Sequence, residues 1–138
     1  MESVRRATQK DMSGIMGLMA KGVREGLLVR RTKADILDDI RDGDCFVFGD
    51  RRIRGMVFLA VYSRKIAELR SLYVEEPLRS RGVGGMLVNA ALERARQKKT
   101  MEVMTITNKA KERWFGKFGF RQELNDFRVA MFLRPSDD

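Results

Sequence analysis

A glycine-rich stretch flanked by arginines carries the clearest chemical signal. Residues 79–85 read RSRGVGG, and they follow an apolar segment at 66–74 and precede an amphipathic pattern that predicts a helix. A helix N-terminus offers unpaired backbone N–H groups and a partial positive charge, and glycines let a ligand approach without a Cβ in the way. Arg79 and Arg81 add charge beside it. The stretch therefore predicts an anion site suited to a pyrophosphate.

The common nucleotide motifs do not fit this stretch. A P-loop requires Gly-Lys-Ser/Thr, which does not follow, and the dinucleotide fingerprint requires a third glycine where Leu87 stands. The glycines alone leave open a helix start that binds nothing.

The overall charge favours an anionic partner. Lys and Arg number 28 against 19 Asp and Glu, which gives a formal net charge of +9 over 138 residues. The basic residues are scattered and the aromatic residues follow core periodicity, so we predict no nucleic-acid partner. No apolar run reaches the roughly 20 residues of a membrane span, and no signal peptide is recognisable. These observations predict a cytoplasmic protein with no membrane partner.

Several catalytic classes are excluded by composition. The chain has no histidine and one cysteine, which rules out Ser/His/Asp triads, Cys/His dyads, His-ligated zinc and an intrachain disulfide. Cys45 is predicted to be a core residue. An acidic helix stripe is predicted to be a solvated face because nothing supplies further ligands; it comprises Asp35, Asp38, Asp39 and Asp42. No metal is implied.

The elements that must position these residues follow from hydrophobic periodicity. It predicts a single domain over residues 1–138 in the order β-α-α-β-β-β-α-β-α-β, a mixed α/β sheet. Strands are predicted at 3–7, 45–48, 53–62, 66–74, 101–107 and 127–133, and helices after Asp11, after Thr32, at 82–99 and at 109–118. Asp11 and Thr32 are the predicted caps, Gly26 ends the first helix, and Gly119 is the predicted C′ residue of the last.

The motif resembles a known family. Arg79-x-x-Gly82-x-Gly84, after a strand and opening a helix, is similar to the coenzyme A motif of the GNAT N-acetyltransferases. The later segment WFGKFGF, residues 114–120, is similar to the family's aromatic-x-x-x-Gly-Phe ending. The resemblance covers roughly residues 3–134. It implies an α/β (α+β) GNAT fold with a mixed, mostly antiparallel central sheet flanked by helices.

The resemblance also implies a cofactor site for acetyl-CoA. Backbone N–H groups of residues 81–86 would bind the pyrophosphate, the edge of the strand at 72–74 would pair with the pantetheine amides, and Asn108 with the following helix would flank the pantetheine arm. The implied cofactor-binding residues are Leu72, Tyr73, Val74, Arg79, Arg81, Gly82, Val83, Gly84, Gly85, Met86, Asn108 and Phe115.

Acyl transfer to an amine requires a neutral amine and a stabilised oxyanion. Glu68 is the predicted catalytic base, on one strand face with Arg70 and Leu72; the alternative is an exposed or Arg70-paired carboxylate. The implied reaction is direct attack of the amine on the thioester in a ternary complex. Phe115 stands where the family often has a tyrosine that can donate a proton. Three alternatives follow from this difference: water or another donor protonates the thiolate, the thiolate needs no proton donor, or the protein binds the cofactor without turnover.

A closer resemblance concerns the acceptor. Residues 25–32 (EGLLVRRT), 65–68 (KIAE) and the Trp114-Phe115 pair look like the acetyltransferase domain of N-acetylglutamate synthases. This implies a small-molecule amine acceptor, glutamate or a related acidic amino acid. The implied substrate-binding residues are Leu28, Val29, Arg30, Lys65 and Thr107. The alternatives are a protein or peptide N-acetyltransferase and a non-catalytic acyl-CoA-binding regulator. A homodimer stays open.

Overall fold

The computed structural model describes residues 2–122 and 129–133. The chain divides into two compact units, Met1–Leu59 with Ser71–Ala91, and Ala60–Arg70 with Leu92–Asp138. Of the last predicted strand, Phe127 lies outside the described residues.

The predicted element order is confirmed, with one short strand added. The strands are β1 (Val4–Arg6), β2 (Cys45–Phe48), β3 (Gly55–Val61), β4 (Ile66–Val74), β5 (Glu102–Thr107), β6 (Arg121–Gln122) and β7 (Val129–Leu133). The helices are α1 (Met12–Arg24), α2 (Lys33–Arg41), α3 (Val83–Gln97) and α4 (Glu112–Gly116), with 3-10 turns at Gln9–Asp11, Glu76–Leu78 and Lys109–Lys111. The additional strand is β6. No described helix has the length and apolar character that crossing a membrane would require.

In the first unit, α1 and α2 pack with residues of β2, β3 and β4 in one hydrophobic core. β1, β2 and β3 pair antiparallel, with Val4 opposite Phe48 and Cys45 opposite Phe58. All four residues of β2 are buried, as expected for a strand covered on both faces. The core cluster combines residues from α1, α2, β2, β3 and β4, among them Ile15, Leu18, Met19, Ile36, Ile40, Val47, Met56 and Tyr73. Cys45 belongs to this cluster, as predicted, and burial raises the pKa of its thiol.

Local capping explains where α1 and α2 begin and end. Thr32 caps α2 as predicted, because its Oγ1 accepts from the Asp35 N–H at 3.1 Å. Gly26 follows α1 with a left-handed φ of +74°, also as predicted. Asp11 is the N-cap residue of α1, as predicted, but its side chain makes no capping bond to that helix. Its carboxylate instead accepts two bonds of 2.8 Å from Arg5 and one of 2.8 Å from the Thr8 N–H.

A close approach at Gly22 shapes the segment between α1 and α2. A Cβ there would lie 2.4 Å from Leu28 Cδ1 and 3.1 Å from Tyr73 Cδ1. Leu28 N–H also bonds to Gly22 O at 3.1 Å. Only glycine therefore lets Leu28 fold back against the helix.

We expect Gly22→Ala to lower the free energy of unfolding by about 1–2 kcal/mol, because crowding outweighs the helix propensity that alanine adds. Gly17 is the matched control. It lies in the same helix with no atom within 4 Å of a built Cβ. Gly17→Ala should therefore stabilise by about 0.5–1 kcal/mol. Urea unfolding of both variants measures the difference, and equal effects would contradict the role of Gly22.

The second unit is built on β4, β5 and β7. The first half of β4 pairs in parallel with β5, so that Ile66 lies opposite Glu102, and β5 pairs antiparallel with β7. Thr105 Oγ1 donates to Leu69 O at 2.9 Å and links the two parallel strands by a buried hydrogen bond. Buried Phe115 contacts Trp114 and Phe120 edge-on, with ring centroids 4.9 and 5.7 Å apart.

One positional prediction is wrong in this region. Gly119 has a φ of +98° but is not the C′ residue, because α4 ends at Gly116 and the chain continues in i→i+3 bonds, including Gly119 N–H to Gly116 O at 3.0 Å. Ser71 has a φ of +54° within β4, so the regular strand backbone is interrupted after residue 70.

Candidate active site

The glycine loop forms an open helix start in the first unit. The first intrahelical bond of α3 runs from Met86 N–H to Gly82 O at 3.1 Å, so helix geometry leaves the N–H groups of Val83, Gly84 and Gly85 without an intrahelical acceptor. Gly82 has a φ of +83°, and no atom lies within 4 Å of a Cβ built there. Glycine at this cap position supplies no side-chain oxygen. These residues fit a phosphate group at the helix start.

Arg79 is held by protein groups beside this loop. Its Nε donates to Val74 O at 2.7 Å, and its Nη2 donates to Glu25 Oε1 at 2.9 Å. The guanidinium also lies over the Tyr73 ring, 5.3 Å from the centroid. Arg79 therefore ties the end of β4 to the end of α1, whereas Arg81 is exposed. The positive charge predicted beside the loop is partly balanced by Glu25.

Glu25 also accepts from the Tyr73 hydroxyl. The Tyr73 Oη to Glu25 Oε2 distance is 2.6 Å. Burial and then this hydrogen bond raise the pKa of Tyr73 to about 12, while the bonds from Tyr73 and Arg79 lower the pKa of Glu25. The Tyr73 hydroxyl therefore remains protonated at neutral pH and serves as a structural donor. Leu72, the other residue predicted to line this part of β4, is half-buried.

Glu75 anchors the chain just before the glycine loop. Its buried carboxylate accepts from Lys21 Nζ at 2.9 Å, from Arg52 Nη1 at 3.1 Å and from Arg54 Nε at 3.4 Å. Burial raises the pKa of Glu75, but the Lys21 bond and the Arg52 charge outweigh burial and the pKa ends below its ordinary value.

We expect Glu75→Gln to cost about 2 kcal/mol of unfolding free energy at neutral pH. Because the folded-state pKa is lowered, the stabilisation is present above the unfolded pKa of about 4.3 and is lost as pH falls through the folded value. The difference between variant and wild type should therefore shrink below about pH 4. Exposed Glu76 is the control, and Glu76→Gln should change stability by less than about 0.5 kcal/mol. Thermal melts across pH test this, and a pH-independent difference would contradict it.

The segment between α1 and α2 places its predicted acceptor residues differently. Leu28 is half-buried against the core, Val29 is 83% exposed, and Arg30 is exposed. Arg31 is buried and donates from Nη2 to Asp39 Oδ2 at 2.6 Å, with its guanidinium 4.9 Å from the Phe58 centroid. Within the described part of the chain, Arg31 Nε and Nη1 are buried without a hydrogen-bond partner.

The second unit holds the predicted base. Glu68 is half-buried on β4, opposite Met104 in the parallel register. Its Oε1 accepts a hydrogen bond of 2.5 Å from the Tyr62 hydroxyl. Tyr62 was not among the predicted site residues. The signal was available in the tight turn between β3 and β4, because residues diagonal across a hairpin lie within reach of an aromatic side chain.

The remaining predicted residues of this unit lie in the turn before β4, at the end of β5 and in the helical segment that follows β5. Lys65 is exposed in the turn, where its N–H bonds to Ser63 Oγ at 3.1 Å. Thr107 ends β5 and is half-buried. Exposed Asn108 accepts at Oδ1 from the Lys111 N–H at 3.2 Å and so caps the following 3-10 turn. Phe115 is 4% exposed within the aromatic cluster. The described residues contain no group of acidic, Cys or His side chains suited to a metal ion.

Comparison with known proteins decides the family. A family model described as "Acetyltransferase (GNAT) family" matches residues 21–120, which include the glycine loop, Glu68 and the Trp-Phe segment. The chain belongs to the GNAT acetyltransferase family. An uncharacterized N-acetyltransferase of Chlorobaculum tepidum is 31% identical over 86% of this chain and 75% of its own length. The predicted family and the predicted acetyltransferase class are confirmed.

Relatives with a named substrate class are longer proteins. An amino-acid acetyltransferase of Yersinia pseudotuberculosis is 31% identical over 86% of this GNAT chain, which spans 27% of the relative's length. N-acetylglutamate synthase from Neisseria gonorrhoeae, solved with coenzyme A and N-acetyl-glutamate, gives a TM-score of 0.83 at 17% identity and covers 97% of this chain and 35% of that one. PaiA N-acetyltransferase from Thermoplasma acidophilum, solved with coenzyme A, gives 0.78 at 16% identity, covering 97% and 99%. These structures confirm the fold.

Proposed function

We propose that this acetyltransferase transfers the acetyl group of acetyl-CoA to the primary amine of glutamate or a related acidic amino acid. The observation that carries the proposal is the open first turn of α3 at 82–85, which lies inside the segment that the GNAT family model matches. Two structural neighbours were solved with coenzyme A, which supports acetyl-CoA as the donor.

The first unit would hold the coenzyme. N–H groups of Val83, Gly84 and Gly85 would donate to the pyrophosphate, with the charge of exposed Arg81 nearby in sequence. Backbone groups of residues 72–74 would pair with the pantetheine amides and donate to the oxyanion. Val74 O already accepts from Arg79, so this pairing would use the other backbone groups of the segment.

The second unit would supply the base. Acetyl-CoA provides an acetyl group activated as a thioester. Glu68 would remove a proton from the acceptor, because an α-amine has a pKa of about 8 and is largely protonated at neutral pH. The neutral amine then attacks directly in a ternary complex. Phe115 is buried and lacks an ionisable group, so water would protonate the departing thiolate.

The acceptor class is supported by charge and by the named relatives. Exposed Arg30 and Lys65 are suited to carboxylates, and the net charge of +9 favours an anionic acceptor as well as coenzyme A. The Yersinia relative is called an amino-acid acetyltransferase, and the Neisseria structure contains N-acetyl-glutamate. The resemblance to N-acetylglutamate synthases implies Leu28, Val29 and Thr107 as further acceptor-binding residues.

Release of free coenzyme A from acetyl-CoA, scanned across the amino acids, polyamines and basic peptides, tests the proposal. We expect release with glutamate or aspartate and none with polyamines. Release only with peptides would replace the proposal by a protein or peptide acetyltransferase. Tight acetyl-CoA binding without turnover would favour a non-catalytic acyl-CoA-binding regulator instead.

A further inference from the structure

We propose that Tyr62 is a positioning residue for the base: its hydroxyl fixes Glu68 Oε1, so that Oε2 is presented to the proton of the acceptor amine. The inference rests on the proposed function, in which Glu68 is the base. It adds a residue from the β3–β4 turn to the site.

The turn between β3 and β4 places the two side chains together. Tyr62 N–H and Ser63 N–H both bond to Ile66 O, at 3.1 and 3.2 Å, which closes the turn tightly. Glu68 is two residues beyond Ile66 on β4 and so projects on the same face of the strand. The diagonal reach across this turn brings the Tyr62 hydroxyl to 2.5 Å from Glu68 Oε1.

Core packing does not account for the tyrosine. Tyr62 is 58% exposed, so its ring buries little apolar surface, and its hydroxyl bonds to a carboxylate rather than facing only solvent. A charge-assisted O–H···O⁻ bond is shorter and stronger than a neutral one. The contact therefore restrains the Glu68 carboxylate more than it stabilises the core.

The groups acting on Tyr62 keep its proton in place. Burial and then the Glu68 hydrogen bond raise the pKa of Tyr62, and Arg70 on the same strand opposes them. Among the described residues, Glu68 and Arg70 are the charged side chains that shift this phenol. Tyr62 is consequently a donor throughout the pH range in which Glu68 would act.

The proton step balances with these groups. One N–H bond of the ammonium breaks, its proton forms an O–H bond at Glu68 Oε2, and the electron pair stays on nitrogen. That pair forms the C–N bond to the acetyl carbon, while the C–S bond breaks and its electrons remain on sulfur. The nitrogen then loses its second proton through water to the thiolate, which leaves a neutral amide and the free thiol of coenzyme A. Tyr62 keeps its own O–H bond throughout and holds Oε1. Glu68 then returns the proton to solvent.

The kinetic test compares Tyr62→Phe with wild type, using acetyl-CoA and L-glutamate across pH. We expect kcat to fall about tenfold at neutral pH, with the KM for acetyl-CoA within about twofold of wild type. The loss should become smaller at high pH, where solvent deprotonates the amine and a positioned base is no longer needed. Phenylalanine retains the ring, so packing is unchanged.

Thr105→Val is the matched structural control. It removes a buried hydroxyl bond from β5 to Leu69 O, next to Glu68 on β4, without changing the Tyr62–Glu68 contact. We expect it to lower the thermal midpoint while leaving the shape of the pH profile unchanged. A Tyr62→Phe variant with wild-type kcat and profile overturns the inference. So does one that resembles Thr105→Val, with a lowered midpoint and an unchanged profile.

A second measurement tests the contact without turnover. The chain has two tyrosines, so Tyr73→Phe leaves Tyr62 as the single phenol, whose ionisation is followed by ultraviolet absorbance. We expect ionisation above the usual value of about 10, and a shift to lower pH when Glu68→Gln is added. No shift on adding Glu68→Gln overturns the inference. Wild-type protein that turns over no acceptor would instead overturn the proposed function.

Discussion

Glu68→Gln is expected to lower kcat by about 100-fold or more while leaving the affinity for coenzyme A unchanged. Glutamine is isosteric, and its amide oxygen can still accept from the Tyr62 hydroxyl, but it cannot take a proton from the acceptor. The loss should become smaller at high pH, where solvent deprotonates the amine. Steady-state kinetics and calorimetric titration with coenzyme A measure the two quantities.

Glu93→Gln controls for the change of charge. Glu93 is an exposed carboxylate of α3 in the same unit, and it pairs with Arg96 at 2.7 Å. We expect Glu93→Gln to keep wild-type kcat. If Glu68→Gln and Glu93→Gln have equal activity, Glu68 is not the base, and the reaction would depend on an amine that arrives deprotonated.

Gly84→Glu is expected to weaken coenzyme A binding by about 10- to 100-fold. It places a carboxylate on the first turn of α3, where the proposed pyrophosphate receives N–H bonds, and each charge-assisted bond contributes on the order of 1.5–3 kcal/mol. Calorimetric titration with coenzyme A measures the loss.

Gly84→Gln separates charge from size at this position. The glutamate and glutamine side chains have the same number of heavy atoms, so both variants share the same steric effect. The difference in their coenzyme A affinity therefore reports the effect of the charge. We expect Gly84→Gln to bind more tightly than Gly84→Glu by at least tenfold at low ionic strength, and the gap to narrow with added salt. Unchanged coenzyme A affinity in Gly84→Glu would remove the pyrophosphate from this loop.

Local signals in the sequence were sufficient for much of the fold. Thr32 caps α2 and Gly26 follows α1 in a left-handed conformation, because both effects depend on residues within one helical turn. The position of the glycine loop after β4 and before α3 is likewise a local property of the chain. The GNAT family could be inferred from the sequence because its motif is a contiguous run of residue types.

Contacts between distant residues could not be predicted in this way. Arg79 looked like a free charge, yet it pairs with Glu25, which lies 54 residues earlier in the chain. The ion-pair partner of a charged side chain depends on which groups lie near it in the folded chain. Hydrophobic periodicity does not encode this proximity.

The sequence by itself determined the element order, the glycine-rich helix start, the candidate base Glu68 and the family, because each depends on residue types at short spacing. Only the tertiary structure decided what holds the Glu68 carboxylate and the Arg79 guanidinium. The turn after β3 brings the Tyr62 hydroxyl onto Glu68, and the end of α1 brings Glu25 onto Arg79. Both partners are set by where a turn or a helix end places a side chain in three dimensions, which hydrophobic periodicity does not encode.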